Sequence, residues 1–519
     1  MTKQSFIRGT LVLLGAGLFN RILGFVPRIT LPRVIGSEGV GLYQLGYPLL
    51  VVLLTIITGG IPLAVAKLVA AAESEGNERK VKDVLRVSLA ISIGLAVLFT
   101  GVLILGAEWI AAELLNDTRV YYTLLAMSPM LLIVGVSSVF RGYFQGRQNM
   151  VPTAVSQMTE TVFRIIAMLV LAYILLPYGL AAAAAGAMLG VTIGEVCGLA
   201  VILAQYQKNR SFYKTYHKAI IGRESLKSRF SSAFRPLMGI AVPVTGSRMV
   251  GSASYFLESV MTVKALAIAG VAVNVATAQY GMLQGMVIPL LLLPGVLTYA
   301  LSVSLVPSLS EAAARGDTKT IHKRLHQSLR LALVTGVPCA VLLYVLSEPI
   351  TYFLYHDTEV GIILKQMALV AVFHYFQGPL NATLQALDKP GTALLNTFYG
   401  AAIKLILIYI LATQPQLGIY GVAAAISINM LFVTLLHWNS VVRLLSYRFP
   451  IMDLVKTAAA GAASGFAAHF LFSHEWHPSP LLRFTAAALA SALLYTASVF
   501  ALKLVDKDDF DRLPFSKKK

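Results

Sequence analysis

Long apolar segments recur along the whole chain, and they limit its fold more than any other feature. A membrane-spanning helix needs about 20 mostly apolar residues to cross a hydrocarbon core about 30 Å thick. On that rule the sequence predicts about 14 spans. Hydrophobic residues make up 57% of the chain and charged residues 13%, whereas soluble proteins have about 45–50% and about 25%. The sequence therefore predicts an all-α polytopic membrane protein, and it excludes soluble enzymes and disordered scaffolds.

The net charge is strongly positive, with 42 Lys or Arg against 24 Asp or Glu, or +18 in total. If the N-terminus is cytoplasmic, alternate loops place most cations on one side, among them Arg79, Lys80, Lys82, Arg147, Lys208, Arg210, Arg315, Lys319, Arg443, Arg448 and the final Lys517, Lys518 and Lys519. The opposite side has Arg119 as its main loop cation. This positive-inside pattern predicts that both termini are cytoplasmic. It also accounts for the charge without a nucleic-acid partner.

Similar segments recur at one constant offset, which predicts an internal repeat. Gly76-Asn77-Glu78-Arg79 resembles Gly316-Asp317-Thr318-Lys319, and the intramembrane cations Arg164 and Lys404 share that offset. Two halves of six spans each would have the same orientation, which is the parallel-repeat plan of some alternating-access carriers. The predicted divisions are an N-lobe at 1–206, a basic cytoplasmic linker at 207–235, a C-lobe at 236–445, and two further spans with a basic cytoplasmic tail at 446–519.

Charged residues inside the predicted spans mark the candidate site, because each costs about 2.5–3.5 kcal/mol and usually faces a cavity or a partner. There are six cations and three carboxylates, namely Arg21, Arg28, Lys67, Arg164, Arg248, Lys404, Glu160, Glu195 and Glu258. A cavity with such an excess of cations attracts an anion. We predict that the substrate-binding residues are Arg21, Arg28, Arg248 and Lys404.

Arg21 and Arg28 are the leading pair, since seven residues place them two helical turns apart on one face. Gly24 between them leaves room for a ligand, and Pro27 and Pro32 are expected to break the helix nearby. The alternative is that one or both arginines extend to the membrane interface, as long basic side chains do near helix ends.

Three other charged residues are predicted to act in gating or coupling. Glu160 and Arg164 have the i,i+4 spacing that favours an ion pair, and a purely structural pair is the alternative. Glu258 is on the same predicted span as Arg248 and could border the same cavity. Glu195, on a helix rich in small residues, is predicted to be an interhelical contact.

No cofactor or metal site is predicted. His469, His474, Glu475 and His477 crowd the end of one span, but short histidine-rich segments are weak metal signals. The sequence contains no phosphate-binding loop and no dinucleotide fingerprint on a strand–helix unit. We therefore predict that the protein is not an enzyme and does not itself use ATP.

Several motifs resemble those of a known family. They are Lys3-Gln4-Ser-Phe-Ile-Arg8-Gly9-Thr10, Arg21-x-Leu23-Gly24-Phe25-Val26-x-Arg28, Gly39-Val40-Gly41-Leu42-Tyr43, Arg141-Gly-Tyr-Phe-Gln-Gly146, Thr245-Gly246-Ser247-Arg248 and Phe376-Gln377-Gly378-Pro379-Leu380. Through them the chain resembles the stage V sporulation protein B family over essentially its whole length. That family belongs to the multidrug/oligosaccharidyl-lipid/polysaccharide (MOP) exporter superfamily, which implies a MATE-like fold.

The resemblance implies a flippase of the bacterial cell membrane that serves spore cortex peptidoglycan synthesis. The cargo it implies is lipid II, a polyprenyl-pyrophosphate-linked sugar. Related lipid II flippases carry arginines on the first helix, and Arg21 matches the first of them. Pro27 occupies the place of the second, with Arg28 one residue later. Ala278-Gln279-Tyr280-Gly281 replaces their acidic–basic pair on the eighth helix, so the resemblance implies no coupling residues there.

Other functions stay open at the level of sequence. A cation-coupled drug exporter of the same fold would prefer a cavity dominated by carboxylates. A non-transporting scaffold could recruit cortex-synthesis enzymes through the basic linker, and its intramembrane charges would then be structural. A membrane glycosyltransferase is disfavoured, because no large outer loop carries clustered carboxylates. The predicted partners are therefore the lipid-linked sugar, the bilayer and, for a scaffold, cortex-synthesis enzymes.

Overall fold

The computed structural model describes residues 6–216 and 226–504. All secondary structure in these two ranges is helical, which confirms the all-α fold class. The middle of the predicted basic linker, 217–225, and the predicted basic tail after residue 504 lie outside the described residues.

The chain divides into two compact units, of which unit 1 comprises the residues up to Ala267 together with Val271–Gly285. Its helices are α1 (Phe6–Leu23), α2 (Phe25–Thr58), α3 (Ile61–Ser74), α4 (Glu78–Trp109), α5 (Tyr121–Gly146), α6 (Val151–Leu175), α7 (Leu180–Tyr216), α8 (Leu226–Ile268) and α9 (Val273–Tyr280). A π-helical segment, Gly281–Val287, follows α9. One apolar core cluster joins α3, α4, α5, α7 and α8 through residues such as Val65, Val84, Phe140, Ile202 and Leu237.

Unit 2 comprises Ile268–Gly270 and the residues from Met286 onward. Its helices are α10 (Ile288–Leu292), α11 (Gly295–Ala314), α12 (Thr318–Val345), α13 (Ser347–Tyr355), α14 (Glu359–Ala368), α15 (Ala371–Ala386), α16 (Pro390–Ala412), α17 (Gly418–Leu445), α18 (Ile451–Ser473) and α19 (Pro480–Ala501). A core cluster joins α12, α15, α17, α18 and α19 through residues such as Leu333, Leu380, Val441, Ala460 and Tyr495. The two-lobe scheme with divisions at 206, 235 and 445 stays a prediction.

The protein is a multi-pass membrane protein. Within the described residues, 10 helical stretches are long and apolar enough to cross a bilayer, or 11 if the pair Glu359–Ala368 and Ala371–Ala386, bent by 51°, is one span. The count of about 14 is not confirmed. One reason is that Gly15–Ser74, with 60 residues, counts as a single stretch, although roughly 1.5 Å per residue gives it about three times the thickness of the hydrocarbon core.

The repeated turn predicted from sequence has the same backbone in both copies. Gly76 and Gly316 have φ angles of 67° and 68°, in the left-handed region that glycine adopts without strain. The next residue in each copy caps the following helix: Asn77 accepts from the Lys80 N–H at 3.0 Å, and Asp317 from the Thr320 N–H at 2.9 Å. Hydrogen bonds from Thr320 lower the pKa of Asp317, so this cap weakens as the carboxylate becomes protonated in acid.

An ion pair with a buried arginine fixes the end of α5 to the start of α4. Arg147, 7% exposed, donates two parallel hydrogen bonds to Glu78 at 2.7 and 2.6 Å. Burial lowers the pKa of Arg147, but hydrogen bonds to Glu78 more than offset this and raise it overall. The guanidinium therefore stays charged throughout the accessible pH range.

Loss of this pair should destabilise unit 1 substantially. We expect Arg147→Gln to lower the unfolding free energy by about 3 kcal/mol, because the half-buried Glu78 loses its cationic partner. The measurement is thermal unfolding of purified protein in detergent. As a control, Lys80→Gln breaks the exposed Lys80–Glu75 pair and should cost less than about 1 kcal/mol. Equal effects of the two changes would contradict the argument.

Candidate functional site

The transition between α2 and α3 is a helix break held by α8. The Gly60 N–H donates to Thr245 Oγ1 at 3.0 Å, and Arg248 Nη1 donates to the Gly59 carbonyl at 2.7 Å. Side chains of neighbouring helices are the usual way to satisfy backbone groups freed by a break inside a membrane. A Cβ on Gly60 would lie 2.2 Å from the Ala241 carbonyl oxygen. The Thr245-Gly246-Ser247-Arg248 motif is thus fitted to this break, a contact that sequence reasoning missed.

Arg248 therefore has a structural contact in addition to its predicted substrate role. It is exposed on α8, and a guanidinium has five N–H donors, so one bond to Gly59 leaves donors for an anion. Its role in substrate binding stays a prediction.

Arg21 and Arg28 do not share one continuous helix. Arg21 is in the last turn of α1, Gly24 separates the helices, and Arg28 is in the first turn of α2. The expected break near Pro27 is present, since the helix is interrupted three residues earlier, at Gly24. Pro32 lies inside α2, and the sharp break within that helix is at Gly36, with φ 68° and ψ 179°. Proline is tolerated in a first helical turn, which accounts for Pro27. Both arginines are exposed.

Arg28 lies beside one aromatic ring. Its guanidinium carbon lies 5.8 Å from the centre of the Phe25 ring. Within the described part of the chain, Arg28 has no carboxylate partner, unlike Arg119, Arg141, Arg147 and Arg164.

Glu160 and Arg164 form the predicted ion pair, with Arg164 Nη1 3.2 Å from Glu160 Oε1. Two further residues that the sequence reading did not connect complete the network. Arg141 Nη2 of α5 lies 2.8 Å from Glu160 Oε2 and 3.7 Å from Glu195 Oε2 of α7. Glu195 is thus an interhelical contact. We name these four side chains the α5–α7 charge network; a gating role for it stays a prediction.

Glu258 is buried on α8 and accepts a hydrogen bond of 2.6 Å from Gln284 Nε2. Gln284 belongs to the π-helical segment that follows α9, and such segments often occur at functional sites. Lys404 is on α16 of unit 2 and half-buried, and its place beside the arginines stays a prediction.

A second ion network, also missed from sequence, ties α9 to α2. Arg119 donates to Glu38 at 2.6 Å and to Asp117 Oδ2 at 2.8 Å, and Thr277 of α9 donates to the same Asp117 oxygen at 2.7 Å. Gly41 makes this possible, since its Cβ would lie 2.0 Å from the Thr277 carbonyl oxygen. The sequence signal was the glycine pattern of Gly39-Val40-Gly41, which indicates close helix packing.

Unit 2 contains an apolar groove of about 480 Å³ between α12, α15 and α18, with Leu369 just before α15. Its walls include Val337, Val341 and Tyr344 on one side and Ala458, Ala462 and Phe466 on the other. The last three are spaced four apart along α18 and are exposed. The described residues contain no group of three or more His, Cys, Asp or Glu side chains that could hold a metal ion.

Comparisons of the sequence with known proteins show the family of the chain. Residues 6–313 match the family described as "Polysaccharide biosynthesis protein". Stage V sporulation protein B of Bacillus subtilis (strain 168) is 39% identical over 517 residues, 99% of this chain and 98% of that protein. The chain belongs to the polysaccharide biosynthesis protein family, in the branch of stage V sporulation protein B. The resemblance predicted from the motifs is thereby confirmed.

More distant relatives agree with the fold. Lipid II flippase MurJ of Bacillus subtilis (strain 168) is 28% identical over 78% of this chain and 77% of its own length. A solved structure of lipid II flippase MurJ, inward closed, has a TM-score of 0.71 at 18% identity and covers 96% of this chain and 100% of that chain. A solved structure of an inward-facing MATE multidrug transporter has a TM-score of 0.68 at 13% identity. The match covers 82% of this chain and 94% of that chain. The MATE-like fold is therefore confirmed.

Proposed function

We propose that this protein is a flippase that moves a polyprenyl-pyrophosphate-linked sugar, lipid II in spore cortex peptidoglycan synthesis, across the bacterial cell membrane by alternating access. The observation that carries this is Arg28, an exposed arginine in a membrane segment with no carboxylate partner among the described residues. A charge inside a membrane usually faces a water-filled cavity or a partner, and an unpaired arginine in a cavity attracts an anion. Arginine's planar fork suits a pyrophosphate, which can accept several hydrogen bonds at once.

In this proposal Arg21, Arg28, Arg248 and Lys404 bind the pyrophosphate, while Glu160, Arg164 and Glu258 change partners between the inward-open and outward-open states. The N-lobe, 1–206, and the C-lobe, 236–445, are the moving bodies, and both termini are cytoplasmic. Binding and release need no covalent chemistry, so no cofactor is required.

Binding distinguishes this proposal from its main rival. A cation-coupled drug exporter is favoured by the match of residues 252–410 to the MatE family, but Arg28 would repel a cationic drug. We expect lipid II, and not ethidium, to raise the thermal-unfolding midpoint of the purified protein in proportion to the logarithm of its concentration. Stabilisation by ethidium alone would favour the drug exporter.

The apolar groove of unit 2 is the proposed path of the polyprenyl tail. We expect Ala462→Trp to slow movement of the lipid-linked sugar at least about threefold, because the indole fills the groove where a part of the tail would bind. The matched control is Ala463→Trp, since Ala463 is exposed on the same helix and is not among the groove residues. Movement is measured in proteoliposomes, and equal rates for both variants would remove the groove from the mechanism.

A further inference from the structure

The α5–α7 charge network contains a carboxyl oxygen that is buried without a hydrogen bond. Glu195 is 6% exposed, and its Oε2 has no hydrogen-bond partner among the described residues. Its nearest cationic atom, Arg141 Nη2, is 3.7 Å away, whereas the same atom is 2.8 Å from Glu160. Arg141 Nε is likewise buried without a hydrogen bond. Such unsatisfied groups are rare in native structures and call for a physical reason.

Close helix packing keeps Glu195 in this position. A Cβ on Gly194 would lie 2.5 Å from the Arg164 Cβ, and one on Gly198 would lie 3.0 Å from the Glu160 Cβ. Ser156 of α6 donates to the Gly198 carbonyl at 2.8 Å. The backbones of α6 and α7 are therefore in contact on both sides of Glu195, which keeps its helix against the one that carries Glu160.

The charges around Glu195 balance in number, with two guanidiniums for two carboxyl groups, but the hydrogen bonds do not, because Glu195 Oε2 receives none. The groups that face it are Arg141 from α5 and Glu160 and Arg164 from α6, and Tyr43 of α2 lies near Arg164. Arg164 pairs with the other oxygen of Glu160, so the two carboxyl groups compete for Arg141. Two carboxylates that share a buried site resist simultaneous ionisation, and a buried charge with an incomplete hydrogen-bond shell is costly.

We propose that Glu160 and Glu195 together bind one exchangeable proton. In the protonated state the Glu195 hydroxyl donates to Glu160, and Arg141 stays on Glu160. When the proton leaves to solution, Glu195 becomes a carboxylate. Arg141 then pairs with both Glu160 and Glu195, which draws α5 towards α7. Its use in transport rests on the proposed function, whereas the proton itself can be measured without any cargo.

Infrared difference spectroscopy of the full-length protein in nanodiscs, titrated with pH, tests this directly, because a carboxylic acid and a carboxylate absorb at different frequencies. We expect the wild type to show a buried carboxylic-acid band that disappears as pH rises. Glu195→Gln should abolish the band. The matched control is Glu108→Gln, since Glu108 is an exposed carboxylate of α4, and it should leave the band intact.

Arg141→Gln provides the second arm. Removing the cation disfavours the ionised form, so the band should persist to higher pH by at least about one pH unit, a tenfold change in proton affinity. If Glu195→Gln does not give folded protein, Glu160→Gln makes the same prediction, a lost band. A wild type without a titrating buried carboxylic acid, or a band that survives in both glutamine variants, overturns the proposal. Failure of lipid II to bind or move would overturn the proposed function and leave this result standing.

Discussion

Arg28→Gln should reduce binding and movement of lipid II by roughly ten- to hundredfold. Hydrogen bonds to charged groups contribute about 1.5–3 kcal/mol, and each 1.4 kcal/mol is a factor of about ten in affinity. Arg28 has no carboxylate partner in the described part of the chain, so its removal leaves no buried anion behind. Fold stability should therefore be nearly unchanged, and the loss should be specific to substrate. Thermal-shift titration with lipid II measures the affinity.

Two further variants make this result specific. Arg28→Lys keeps the charge but loses the planar fork, so it should retain an intermediate affinity. Arg86→Gln is the control. The Arg86 side chain is 68% exposed, and its Nη1 lies 3.8 Å from Asp83 Oδ1. This variant should bind lipid II like the wild type. If Arg28→Gln binds normally, Arg28 is not a pyrophosphate ligand.

Gly60→Ala should be the most damaging single-methyl change at the α2–α3 break. The added Cβ would lie 2.2 Å from the Ala241 carbonyl oxygen and 2.7 Å from its Cα, and backbone atoms cannot rotate away as a flexible side chain can. The α8 segment would have to move, which would strain or break the Gly60–Thr245 and Gly59–Arg248 hydrogen bonds. We expect a loss of on the order of 3 kcal/mol or more, the upper range for overpacking.

The control for this change is Gly94→Ala. Gly94 is within α4, and a Cβ there would meet nothing within 4 Å, so alanine should stabilise the helix by up to about 1 kcal/mol. Thermal unfolding in detergent compares the two variants. A Gly60→Ala protein as stable as the wild type would show that α8 is not fitted closely to the break.

Local features were predictable from sequence, whereas the contacts between helices were not. The length of the apolar segments predicted the membrane fold, and the i,i+4 spacing predicted the Glu160–Arg164 ion pair. Both signals depend on residues that are close together in the chain. The repeated turns at Gly76 and Gly316 were also visible, since their glycines and capping residues are local signals.

Arg141 and Glu195 could not be joined by any local rule, because they are on different helices and meet only when α5, α6 and α7 pack. The bond of Arg248 to the Gly59 carbonyl depends in the same way on how α8 docks. Pro27 is a local signal for the break between α1 and α2, whereas the break within α2 is not at Pro32 but at Gly36, where glycine permits a positive φ. In the described unit 1, charged side chains mark the candidate site in sequence, but packing decides which of them form ion pairs within the protein.

The most direct test of the central claim is transbilayer movement of fluorescently labelled lipid II in proteoliposomes that contain equal amounts of wild-type or Arg28→Gln protein. The flippase proposal predicts protein-dependent movement by the wild type and at least about tenfold slower movement by the variant. Folded wild-type protein that moves no lipid II, with or without proton and sodium gradients, would contradict it and favour a non-transporting scaffold.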